Sequence, residues 1–215
     1  MGNRIHTVIF DLDGTLSDSA LLSMEAFRAV LPKQGLPIPS EEAVRRAMGY
    51  ATPEFYYILF PDLPHDKVYD VGLLVEEEEL RILPALGANL LFEGCRELLM
   101  RLKESGKRLC IASTGSRDHV FSTLDGIRIT DFFDTVSCDR PDKTETLREM
   151  IEADNKKGYI DKNGYILVGD MKKDYEAARA NGIVSVGACF GYCVRESTNF
   201  DFYIDKPLEL LKIII

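Results

Sequence analysis

Thr7-Val8-Ile9-Phe10-Asp11-Leu12-Asp13-Gly14-Thr15 decides the fold: a short, mostly apolar run breaks off into two acids and a turn. The run reads as a buried β-strand, and Gly14 breaks it. Carboxylates two residues apart on an extended strand end point the same way. Brought close, they repel unless a cation or a shared proton intervenes. A hard divalent ion with oxygen ligands suits such a pair, and Mg²⁺ fits. One carboxylate can then attack an electrophile while the other handles protons. A strand ending in a solvated Asp-Gly turn is the plainer alternative.

Outward from this strand, similar runs recur at Arg108 to Ala112, Thr135 to Cys138, Tyr165 to Val168, Val184 to Gly187 and Phe202 to Ile204. Helical patterns lie between them. Cys95, Leu98, Leu99 and Leu102 keep one apolar face, and Leu147, Met150 and Ile151 do so more briefly. The alternation predicts an α/β fold: a doubly wound parallel sheet, a Rossmann-like core, with ligands beyond the carboxyl ends of its strands. Leu16 to Ala88 breaks the rhythm and reads as all-helical. Leu21, Met24, Phe27 and Leu31 stand at helical spacing. Ser40 is an expected N-cap with Glu41 and Glu42 in the first turn. Pro53 suits a first helical position. Pro61 and Pro64 should end one helix and Pro84 the next. The expected division is a catalytic core of residues 1–15 and 89–215 with an inserted α-helical cap domain at 16–88. Glu76 to Glu79 reads as a solvated helix face.

The 215 residues carry a formal net charge of −9, with no long basic stripe. That speaks against nucleic acid and anionic membranes as partners. It also repels any phosphate, so metal, a lysine and helix N-termini would have to act locally. Cys95, Cys110, Cys138, Cys189 and Cys193 are odd in number and scattered, which suits reduced thiols in the cytoplasm. Only six residues precede Thr7, so no signal peptide is expected, and His6 stands where a myristoylation signal at Met1-Gly2 needs Ser or Thr. No run reaches membrane-span length. Ile213, Ile214 and Ile215 should end a packed terminal helix.

Three further segments carry polar groups at strand ends. Ser113-Thr114-Gly115-Ser116 can give hydroxyl donors and free turn amides to an anion, although the same residues are ordinary turn chemistry. Gly169-Asp170 ends another strand, and Asp174 follows one helical turn later, before a helix closed by Asn181-Gly182. Lys143 follows Asp142, which with Glu145 resembles a capping box. A lysine in a first helical turn meets the wrong end of the dipole, a local conflict that hints at function; the plain alternative is a side chain bent out to solvent. Removing a lysine so placed should cost folding under about 1 kcal/mol.

Taken in order, these segments resemble the haloacid-dehalogenase superfamily, in its phosphatase branch with a helical cap. Asp11 to Ser19 is similar to the first motif, Ser113 to the second, Lys143 to the third, and Gly169-Asp170 through Asp174 to the fourth. Val168 to Tyr192 looks most like phosphoglycolate-phosphatase-type members. Thr144-Glu145 stands where many members have proline, and Cys193 where glycine is common. The resemblance implies that Asp11 is a nucleophile forming an aspartyl-phosphate, and that Asp13 protonates the leaving oxygen and then deprotonates water. Ser113, Thr114 and Lys143 would bind the phosphoryl group. Mg²⁺ would be held by Asp11, the Asp13 carbonyl and Asp170, with Asp174 in support. The expected substrate is a small phosphate ester: phosphoglycolate-like, a sugar phosphate or a nucleotide. A monomer or weak homodimer is expected. A phosphomutase of the same superfamily is the nearest alternative, and a non-hydrolytic phospho-acceptor signalling module the next. Arg45, Arg46, Gly49 and Tyr50 form either a loop facing substrate or an ordinary helix end. His65 and His119 are expected at the surface.

Overall fold

The computed structural model describes residues 5–48, 50, 52–155 and 162–214. Met1, Gly2, Gly49 and Ile215 lie outside them, so the readings placed there have no structural counterpart. Six strands form one wholly parallel sheet: β1 (Thr7–Phe10), β2 (Arg108–Ala112), β3 (Thr135–Ser137), β4 (Tyr165–Gly169), β5 (Val184–Ala188) and β6 (Phe202–Ile204), in the order β3-β2-β1-β4-β5-β6. The order reverses between β1 and β4, where a doubly wound sheet opens a crevice at its carboxyl edge.

Alternation along the strands feeds two cores. Val8 and Phe10 of β1 join Leu98, Leu99 and Leu102 of α5 (Cys95–Glu104) on one face. Ile9 joins Leu147 and Ile151 of α7 (Lys143–Asn155) and Ala177 and Ala178 of α8 (Lys172–Asn181) on the other. A sheet covered on both faces needs such two-sided apolar strands. Ile214, in the short terminal α9 (Leu211–Ile214), packs into the first core.

Between β1 and α5 stand α1 (Ser19–Val30), α2 (Glu41–Ala47), α3 (Glu54–Leu59) and α4 (His65–Leu90); β2 follows α5, and α6 (Arg117–Gly126) follows β2. The first four share a third core around Phe27, whose ring stacks on Phe55 and meets Tyr56 and Phe60 edge-on. Ser40 caps α2 as expected, accepting from the Ala43 N–H at 3.2 Å. Pro53 sits one residue before α3, and Leu21 is exposed because Ala20, Met24 and Phe27 turn inward instead.

Pro84 does not end a helix. It lies inside α4, on its exposed side, and the helix runs on to Leu90. The loss of one backbone bond is tolerated because the rod is anchored at both ends. Val68, Val71 and Val75 belong to the third core, while Leu83 and Leu90 belong to the first. Gly87 meets α6 so closely that a Cβ there would stand 2.4 Å from the Gly126 carbonyl oxygen. The two chain crossings between β1 and α1 and after α4 are tied together. Asp18 N–H donates to Leu90 O at 2.7 Å, and Phe92 N–H to Leu16 O at 3.0 Å. Among the described residues, no helix is long and apolar enough to cross a membrane, and all five cysteines are free.

Candidate active site

The carboxyl ends of β1, β2 and β4 bring the predicted residues to one place. Asp11 follows β1, and its N–H continues the ladder to Val168 O at 2.9 Å. Ser113 follows β2, and Asp170 follows β4. Lys143 is the first residue of α7 and Asp174 lies in the first turn of α8. The Lys143 ammonium donates to Asp11 Oδ1 at 2.6 Å and to Asp174 Oδ1 at 2.5 Å, with all three side chains buried. Asp174 Oδ2 also accepts from the Met171 N–H at 3.0 Å, closing the helix start.

Lys143 therefore does not behave as a residue bent into solvent, and the expected near-neutral removal is corrected. Two buried carboxylates depend on this one ammonium. Breaking such a pairing costs about 3–5 kcal/mol because a buried charge is left uncompensated. Burial works against the lysine's charge, yet Asp11 and then Asp174 outweigh it and raise its pKa.

Asp11, Asp170 and Asp174 each place a carboxylate oxygen within 4.8 Å of the others. Burial pushes Asp11 up to about 7, although Lys143 opposes the shift. Burial, then Asp11 and Asp174, push Asp170 well above the usual carboxylate range. Asp170 Oδ1 accepts from the Thr15 hydroxyl at 3.1 Å, but no donor among the described residues reaches the buried Oδ2. An orphaned carboxylate oxygen inside a group of acids is what a hard cation would satisfy, so the residues fit a divalent metal. Gly14, at φ +80°, makes room for this arrangement. A Cβ there would lie 2.5 Å from Asp170 Oδ2 and 2.4 Å from the Tyr192 ring.

Asp13 has a different neighbourhood. Its Oδ1 accepts from the Ser19 hydroxyl and lies 2.9 Å from His119 Nε2. Burial alone would raise its pKa, but the facing imidazole outweighs burial and holds it below the ordinary value. His119 in turn is opposed by burial yet raised to about 9 by Asp13, with Glu79 and Glu76 adding to the effect. The expectation of a surface His119 is thus overturned. Ser116 caps α6 by accepting from the His119 N–H at 3.3 Å, so the third residue of that helix is folded back over the strand end. That Ser-x-x-His spacing, directly after a polar strand end, was the available signal. His65 is exposed and stacks on Tyr57, as a surface residue should.

Ser113 is buried, and its Oγ accepts from the Gly115 N–H at 3.0 Å. That turn amide is therefore committed, while the Ser113 hydroxyl hydrogen and Thr114 remain to serve an anion. A cavity of about 220 Å³ opens over Asp11, Asp13, Ser113, Thr114 and Lys143. Tyr50 lines it. Arg45 instead lies over the Tyr192 ring at 5.0 Å and pairs with Glu41, and Arg46 is exposed on Glu42. The acidic run divides by helix face. Glu77 is exposed, but Glu79 is buried and accepts from Ser23 at 2.6 Å, and Glu76 accepts from Thr52 at 3.1 Å. A wholly solvated face is therefore the wrong description. The stripe Val68, Val71, Val75, Glu79, Leu83 carried the signal, since Glu79 falls on its apolar spacing.

The profile of the haloacid dehalogenase-like hydrolases matches residues 8–188. A phosphoglycolate phosphatase from Pseudomonas savastanoi pv. phaseolicola is 29% identical over 197 residues, covering 86% of this chain and 70% of that protein. A tyrosine-protein kinase PtkA from Mycobacterium tuberculosis is 29% identical over 203 residues, covering 89% of this chain and 64% of that one. Among solved structures, a predicted phosphoglycolate phosphatase from Haemophilus somnus superposes with a TM-score of 0.84 at 21% identity, over 100% of both chains. With the fold, the strand-end acids and the matched span in agreement, the chain belongs to the haloacid dehalogenase-like hydrolase family, as an enzyme of its phosphatase branch.

Proposed function

We propose that this protein is a Mg²⁺-dependent phosphomonoesterase that hydrolyses a small phosphorylated metabolite through an aspartyl-phosphate on Asp11. Phosphoglycolate-like esters, sugar phosphates and nucleotides are the classes considered. The observation that carries the reading is the buried trio Asp11, Asp170 and Asp174 around Lys143, with one Asp170 oxygen that no donor among the described residues reaches. Asp11, Asp170 and the main-chain carbonyl of Asp13 would hold Mg²⁺, with Asp174 orienting Lys143. The ion when bound supplies positive charge against the phosphoryl oxygens.

The chain's own residues divide the remaining work. The Asp11 carboxylate attacks phosphorus while the bond to the leaving alcohol breaks. Asp13, ionised beside the protonated His119, relays a proton from His119 to that oxygen, then takes one from the water that attacks the phosphoryl group and frees Asp11. His119 fixes the Asp13 carboxyl and keeps a proton one hydrogen bond away. Ser113 and Thr114 donate to the phosphoryl oxygens, and Lys143 offsets charge shared between them and Asp11. Residues 16–88 act as a cap over a core of 1–15 and 89–215. The free thiols suit a cytoplasmic setting, and no nucleic-acid or membrane partner is invoked; a monomer or weak homodimer suffices.

Turnover of p-nitrophenyl phosphate tests the reading. Activity is expected with Mg²⁺, lost on exhaustive chelation, restored by Mg²⁺ and inhibited by Ca²⁺. No turnover with Mg²⁺ would favour a phospho-acceptor switch, and full activity after chelation would exclude the metal-dependent route.

A further inference from the structure

The cavity is charged in one sense on the side facing away from the sheet. From α1, α3, α4 and the segment before α3, the described lining residues are apolar, aromatic, hydroxyl-bearing or acidic, and none is lysine or arginine. Its cations come from the sheet side: Lys143 on α7, His119 on α6 and Lys173 on α8. Lys143 is engaged by Asp11 and Asp174, and His119 by Asp13. The Lys173 ammonium lies 4.3 Å from the centre of the Tyr50 ring.

Glu79 is the unusual wall residue. Only 9% of it is exposed, yet it lines the cavity. Its Oε1 accepts from the Ser23 hydroxyl, and no donor among the described residues serves Oε2. Glu76, nearly one helical turn earlier on the same face, adds a second carboxylate beside Thr52. Ionised carboxylates only accept hydrogen bonds. Burial raises the Glu79 pKa, and the neighbouring His119 charge opposes that shift. A substrate carboxylate drawn alongside the two glutamates would shed its water, gain no hydrogen bond from either ionised group and meet like charge. A substrate hydroxyl or ammonium would meet an acceptor already desolvated and waiting for one.

We propose that Glu79, assisted by Glu76, forms the leaving-group subsite. The alcohol released then carries O–H or N–H donors, as in a polyol or an amino alcohol, and is not a hydroxy acid. This rests on the phosphatase reading above and narrows it, setting the phosphoglycolate-like class aside.

Three two-carbon esters test it, since they differ only at the end remote from phosphate: phosphoglycolate, 2-hydroxyethyl phosphate and 2-aminoethyl phosphate. With the intact protein and Mg²⁺, kcat/KM for the two donor-bearing esters should exceed that for phosphoglycolate by at least about tenfold. Glu79→Gln should narrow the gap, lowering KM for phosphoglycolate and raising it for the aminoethyl ester. Glu76→Gln should shift both in the same sense by less, and it carries the comparison if Glu79→Gln does not fold. Equal or better turnover of phosphoglycolate by the parent protein overturns the subsite and points to Lys173 instead. So does a folded Glu79→Gln with unchanged ratios, or turnover of p-nitrophenyl phosphate without turnover of any of the three. Failure of all four esters overturns the phosphatase reading itself, and the subsite with it.

Discussion

The floor of the cavity and its roof are built on different rules. On the floor, each functional group is held at a strand end or in a first helical turn, and the central charges are cross-linked. Lys143 spans two carboxylates, and Asp174 holds both Lys143 and the Met171 N–H. On the roof, Tyr50, Thr52, Glu76 and Glu79 come from helices and a connecting segment, with one hydrogen bond or one ring contact each. Dense cross-linking suits chemistry, where a misplacement of about 1 Å is costly. Sparse ties suit a wall that selects among substrates.

The sharpest way to break this contrast is Asp11→Asn. It keeps the shape and relieves charge in a crowded acidic cluster, so the protein should stay folded while kcat falls by about four to six orders of magnitude. A turnover number within tenfold of the parent would end the covalent mechanism. Lys143→Ala comes next. Turnover should drop by roughly a hundred- to a thousandfold, and metal-free stability should fall by about 3–5 kcal/mol. Added Mg²⁺ should recover part of that stability, measured as a denaturation midpoint. An unchanged midpoint without metal would mean that the carboxylates are not held by this lysine.

His119→Asn probes the link between floor and roof. Because its ring bonds Asp13 and would act through it, kcat should fall about 10- to 100-fold with KM nearly constant, by analogy with the loss of partners that orient a working group. A KM effect alone would move His119 to the roof. The smallest effect on chemistry is expected from exchanging residues 16–88 for those of a related phosphatase. Substrate rank order should change while metal dependence and p-nitrophenyl phosphate turnover stay within about tenfold. An unchanged rank order would place selection on the floor.

The floor was legible in the sequence for the same reason that it is rigid. Asp11, Asp13 and Asp170 follow apolar runs that can only be central strands, and a strand end fixes position within a residue or two. Lys143 announced itself by sitting at the unfavourable end of a helix. Its energetic weight did not show, because that depends on two acids 132 and 31 residues away. His119 and Glu79 were missed for a related reason. The side of a helix that meets a cavity is set by distant packing, here Gly87 of α4 against Gly126 of α6. Pro84 was misread because a local rule about proline was applied to a helix held from both ends by separate cores.

That proline has a mechanical consequence. Without its N–H, the Leu80 carbonyl loses its helical partner, and the rod is softest there. Pro84 lies at the outer end of the stretch of α4 packed on the sheet core, just past Leu83 and well beyond Val75, the last buried α4 residue of the outer core. A bend of about 10° at this point would swing the far tip at His65 by about 5 Å but displace Glu79 by only about 1 Å, from the rise of an α-helix. With the two chain crossings tied to each other at the base, α4 is a lever that carries Glu79 close to its pivot. The mouth can open widely while Glu79 hardly leaves its place over the chemistry.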